Sequence, residues 1–130
     1  MKLKEEFFSF IETFKSENIV INNNVSDDFD KVVIEDVEDF KEIIRYILEY
    51  FKTKDSKIEF DVDVNCMKYE GFAGLFLSVM TRDIKNLKDE VFVEGLKELV
   101  DKVEGNLLID NSEKGIVLLI DFAKEAIIEE

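Results

Sequence analysis

The 130-residue chain carries 31 acidic side chains against 17 basic ones, a net charge of −14. Nucleic-acid affinity rests on Lys and Arg neutralising phosphates, and only Arg45 and Arg82 supply guanidinium groups, so direct nucleic-acid binding and docking on anionic membranes are excluded as expectations. Yet 46% of the residues are apolar, twelve of them Phe, so the chain can bury a core and display its carboxylates outside.

The N-terminus reads Met1-Lys2-Leu3-Lys4-Glu5-Glu6 and lacks a signal-peptide apolar segment. No apolar run approaches the ~20 residues that span a bilayer. With Cys66 as the lone cysteine, a cytoplasmic, single-domain chain over residues 1–130 is expected.

Leu3, Phe7, Phe10, Ile11 and Phe14 recur at helical spacing and predict an amphipathic helix over 2–16. Phe8 falls off that stripe, which makes this helix a candidate homodimer contact. Asn18 to Asn22 is a short β-branched run closed by an Asn turn, and Lys31 to Glu35 is a second; the two are expected to pair as a hairpin. Over 37–51, Val37, Phe40, Ile43, Ile44, Ile47, Leu48 and Phe51 define one helix face. Asp36 stands at its N-cap position, and Glu38 and Asp39 lie in its first turn, where the helix dipole favours negative charge.

Ile58 to Asn65 alternates strictly, placing Ile58, Phe60, Val62 and Val64 on one face and Glu59, Asp61, Asp63 and Asn65 on the other, the mark of a sheet with one solvated side. Residues 69–84 are apolar nearly all round and are expected to form the most buried helix. Phe92, Leu96, Leu99, Val100 and Val103 predict a helix over 89–103 with Gly105 as its C′ residue, the position that favours the left-handed conformation. Leu107 to Asp110 and Ile116 to Phe122 read as a hairpin, followed by a short terminal helix from Ala123. The expected fold is α+β: a mainly antiparallel sheet of about five strands with helices packed on one face, in the order α-β-β-α-β-α-α-β-β-α.

Chemistry is sparse. Asp110-Asn111-Ser112-Glu113-Lys114-Gly115 superficially resembles an acidic glycine motif of a nucleotide-binding fold, but it has one glycine and no accompanying glycine-rich lid or Asn-bearing helix, so a hairpin turn is the better reading. Cys66 has no His to activate it and is expected to be a small, half-buried apolar residue. Glu59, Asp61 and Asp63 stand two apart on one strand face, where they repel unless a cation, neighbouring lysines or a basic partner sits among them. No D-x-[DN]-x-[DN]-G calcium loop is present, so neither a metal nor another cofactor is expected.

The acidic stretch Asp27, Asp28, Asp30, Glu35, Glu38, with Phe29 as an aromatic anchor, joins Glu59, Asp61 and Asp63 as the expected surface for a basic protein partner. The function expected from sequence is therefore a small non-enzymatic binding domain of the immunity, inhibitor or nucleic-acid-mimic kind. An oligomeric chaperone-like or assembly subunit is the alternative, and a carboxylate- or metal-dependent enzyme comes third.

Overall fold

The computed structural model describes residues 3–29, 32–33, 37–53, 57–69, 72–82, 89–112 and 115–128. Its elements are α1 (Leu3–Glu12), β1 (Ile19–Val25), a 3₁₀ turn (Asp27–Phe29), β2 (Val32–Val33), α2 (Val37–Lys52), β3 (Ile58–Tyr69), β4 (Phe72–Thr81), α3 (Glu90–Lys102), β5 (Gly105–Ser112) and β6 (Gly115–Ile128). The result is a mixed α+β fold with three α-helices and a six-stranded sheet ordered β1-β3-β4-β6-β2, with β5 also paired to β6. The pair β1–β3 is parallel and the rest are antiparallel.

The expected alternation of β3 organises the molecule. Ile58, Phe60, Val62 and Val64 are buried in one core with Phe7 and Ile11 of α1, the apolar face of α2 from Phe40 to Phe51, and Phe92, Leu96 and Val100 of α3. Glu59 and Asn65 on the other face are exposed, and Asp61 and Asp63 half-exposed. Among the described residues, helices therefore cover one side of the sheet and leave the other open, because only one side of β3 is apolar.

Four expectations are corrected. The described residues of the span 69–84 form no helix: β4 is a strand between β3 and β6, with Leu75, Leu77, Val79 and Thr81 buried on the helix side and Phe76, Ser78 and Met80 half-buried on the other. A continuous apolar run suits a central strand as well as a helix. The strands β1 and β2 do not form a hairpin. β1 lies parallel to β3, with Asn22 against Asp61, while β2 joins β6 at the opposite end of the strand order. The terminal helix from Ala123 is instead the last half of β6, held by pairing to β4 and β2. Finally, the left-handed residue after α3 is Glu104 (φ 58°), one position before Gly105, which already begins β5. The expected N-cap Asp36 lies outside the described residues.

Candidate functional site

The expected contact residues separate into distinct places. Asp27 and Asp28 lie exposed on the 3₁₀ turn; Asp27 receives an ion pair from Lys4 of α1, which holds its carboxyl below the ordinary range. Phe29, expected as a surface anchor, is corrected: its ring is buried edge-on against Phe7, with centroids 5.6 Å apart. Burial takes the aromatic ring out of reach of any partner. Glu38 lies 3.6 Å from Lys41, and Asp39 lies 3.5 Å from Lys102 of α3. Asp30 and Glu35 lie outside the described residues.

Glu59, Asp61 and Asp63 stand on the open sheet face, across the sheet from the helix layer that carries Glu38. Their mutual repulsion is met by an uncharged neighbour that sequence reading did not foresee. The Asn22 amide on β1 donates to Asp61 Oδ1 at 2.6 Å and to Glu59 Oε2 at 3.2 Å. The parallel register of β1 with β3 makes this contact, setting Asn22 opposite Asp61. Glu59 and Asp61 line an open groove of about 410 Å³ with Met80 and Arg82. Among the described residues no group of three or more His, Cys, Asp or Glu is placed to hold a metal ion. Cys66 is buried rather than half-buried.

The most constrained geometry lies between α2 and α3. Apolar spacing turns Phe92 inward from α3, while Tyr46 and Tyr50, one turn apart on α2, flank the buried stripe. The Tyr50 ring stacks on Phe92 with centroids 4.0 Å apart, and Tyr46 stacks at 5.2 Å with planes only 4° from parallel. Phe51 meets Phe92 edge-on at 5.8 Å. Each tyrosine then ties its hydroxyl to α3: Tyr46 Oη donates to the Phe92 carbonyl at 2.9 Å, and Tyr50 Oη donates to Asp89 Oδ2 at 2.8 Å. The other oxygen of Asp89 caps α3 by accepting from the Phe92 amide at 3.1 Å. Burial, helped by the bond to Asp89, pushes the Tyr50 hydroxyl up to about 12; burial also raises Tyr46, with the charges of Asp89 and Glu98 adding to it. Gly95 is required where α3 passes Tyr46, since a Cβ there would stand 2.2 Å from Tyr46 Oη.

The sequence signals for this cluster were Tyr46 and Tyr50 at helical spacing and Asp89 three residues before Phe92. Neither signal names its partner helix.

This arrangement of helices on a mainly antiparallel sheet is the fold of histidine kinase catalytic domains. The chain is similar to the blue-light activated histidine kinase of Erythrobacter litoralis (TM-score 0.73, 13% identity), covering 94% of this chain and 42% of that one. It is also similar to the nucleotide-free catalytic domain of histidine kinase ThkA (TM-score 0.68, 17% identity), covering 95% of this chain and 94% of that domain. A third likeness is to histidine kinase AdeS of Acinetobacter baumannii (TM-score 0.58, 8% identity), over 91% of this chain and 59% of that one. The chain thus spans about half the length of the larger kinases and nearly the whole of the isolated ThkA domain. No protein-family model matches the chain, and no curated protein matches it.

The likeness corrects the function expected from composition. The non-enzymatic, inhibitor-like binding domain is overturned, because the structural neighbours are catalytic domains of histidine kinases. Net charge reports on solubility and encounter, not on fold, and so could not reveal this. Among the described residues no helix is long and apolar enough to cross a membrane.

Proposed function

We propose that this chain is a kinase-type domain that takes a nucleotide, as the catalytic domains of histidine kinases do. The observation that carries the reading is the near end-to-end likeness to the isolated ThkA catalytic domain. The order of elements supports it: one sheet side is left open while three helices cover the other, and α2 and α3 close on each other there.

The described side chains limit how a nucleotide would be held. The rings of Tyr46, Tyr50, Phe51 and Phe92 fill the contact between α2 and α3. The N-terminus of α3, a natural place for phosphate, already holds the Asp89 carboxylate. At the sequence Asp110–Gly115, Ser112 at the end of β5 pairs with Gly115 at the start of β6. Neither nucleotide binding nor a phosphoryl-transfer step is assigned to these three places.

Titration calorimetry with Mg-ATP and Mg-ADP on the intact chain tests the reading. Saturable binding in the micromolar to millimolar range, worth roughly 4–8 kcal/mol, is the expected result. Absence of heat and of any thermal shift at millimolar nucleotide would overturn it.

A further inference from the structure

The three edges of the sheet are protected unequally. At one edge, β1 carries Asn22, Asn23 and Asn24, and Asn23 donates its amide to the Phe8 carbonyl of α1 at 3.0 Å, so a helix is fastened over that edge. At the other side, β2 contributes Val32 and Val33 among the described residues. β5 is different: eight residues, regularly paired to β6 from Gly105 to Ser112, with no strand on its other side among the described residues. It has no Pro and no Lys, the usual devices that keep an edge from pairing. Leu108 on this strand is 61% exposed, while Leu107 and Ile109 are half-buried beside a groove of about 420 Å³ that α3 closes with Val93, Lys97 and Asp101.

We propose that β5 pairs with β5 of a second copy of this chain, antiparallel and centred on Leu108, joining two sheets into one. The charge pattern selects this occupant. In a chain of net charge −14, a self-contact must contend with general like-charge repulsion. A two-fold pairing about Leu108 instead sets Leu108 on Leu108, Ile109 on Leu107, and Asp110 on Asn106. No two acids face each other across the ladder, and like charges directly opposite are what such pairs avoid. Lys97 and Asp101, one turn apart on α3, give the flanking groove one charge of each sign. The apolar side chains on both strand faces then lose water contact together with the unpaired backbone groups. This inference is independent of the nucleotide reading.

The test is sedimentation equilibrium of the whole chain over a range of concentrations, at low and high salt. A dimer that tightens with salt is expected, because the Debye length falls from about 10 Å at 0.1 M to about 3 Å at 1 M and the general repulsion is screened. Leu108→Lys, checked for folding by circular dichroism, should weaken the dimer roughly tenfold or more. In a Cys66→Ala background, Leu108→Cys should form an intermolecular disulfide readily, whereas Val91→Cys, 81% exposed on α3, should not. A monomer at every concentration and salt would overturn the proposal. So would a dimer indifferent to Leu108→Lys, equal cross-linking at Val91 and Leu108, or pairing seen only with an added basic peptide.

Discussion

The helix α2 meets its two neighbours by different means. Toward α3 it presents Tyr46, Tyr50 and Phe51, which stack on Phe92, and two tyrosine hydroxyls that reach across to α3 and its cap. Toward α1 it adds charge to a buried ring pair: Phe40 meets Phe7 at 4.8 Å, Lys41 donates to Glu6 at 2.7 Å, and Lys41 and Arg45 lie 5.5 Å and 5.3 Å from the Phe10 ring centroid. The first contact excludes water and fixes orientation through ring planes. The second lacks tyrosine hydroxyls and instead combines the Phe7–Phe40 pair with a part-buried ion pair, whose Coulomb attraction falls slowly with distance. The α2–α3 contact is therefore expected to be stiff and insensitive to salt, and the charged part of the α1–α2 contact to be weakened by screening.

Phe92→Ala should have the largest effect, about 3–5 kcal/mol lost in denaturant unfolding, since it removes the ring that three others touch. A loss no greater than that of a surface aromatic would erase the distinction between the two contacts. Gly95→Ala comes next: the added methyl meets Tyr46 and should cost about 1–3 kcal/mol by overpacking. The same substitution in a Tyr46→Ala background should cost almost nothing, which a thermal melt of the double variant would show.

Tyr50→Phe should cost about 1–2 kcal/mol by leaving Asp89 without the hydroxyl donor. It also carries a pH signature. The folded hydroxyl titrates near 12 and the unfolded one near 10, so its stabilisation is whole below pH 10 and is lost as pH rises from 10 through 12. Part of the alkaline loss of stability in that window should disappear in Tyr50→Phe. The smallest effect is expected for Lys41→Met, under about 1 kcal/mol and fading in high salt. Glu6 raises the Lys41 amine, so its contribution too is present below the ordinary lysine value of 10.5 and is lost above it. Salt separates the two: the Tyr50 slope should persist in 1 M NaCl while the Lys41 slope shrinks. Equal salt sensitivity would show that the contacts are alike after all.

The helices of the long amphipathic stripes, over Leu3–Glu12, Val37–Lys52 and Glu90–Lys102, were all legible, because a period of 3.6 repeated over three or four turns leaves little choice. The two faces of β3 were equally plain from its strict alternation. β4 was not. Its run from Phe72 to Thr81 is apolar on consecutive positions because Phe76 and Met80, on the less covered face, are apolar too. Alternation of burial became visible only once β3 and β6 flanked it. Ala123 to Ile128 failed for a related reason: Lys124 and Glu125 resemble a fraying helix, and only pairing with β4 and β2 makes the segment a strand.

The candidate site was less legible than the fold. Carboxylates drew attention by number, yet Asp27 and Glu38 turn out to be paired with lysines of the helix layer, while Glu59 and Asp61 share one asparagine across the sheet. The tightest cluster is built from residues that look like ordinary core and capping groups when taken singly. Likeness to kinase catalytic domains at 8–17% identity lies in arrangement rather than in any motif that a reader of one chain could recognise.

Local patterning by itself determined where helices form, which face of β3 is dry, and that the negative charge lies outside the core. Each depends on residues within a few positions of one another, and their periodicity is written in the chain. Tertiary structure decided the partner of β1, the strand state of β4, the closing of α3 on α2 by Tyr46 and Tyr50, and the unguarded edge of β5. Those outcomes are set by pairings between segments tens of residues apart, and the free energy of such a pairing belongs to both members at once.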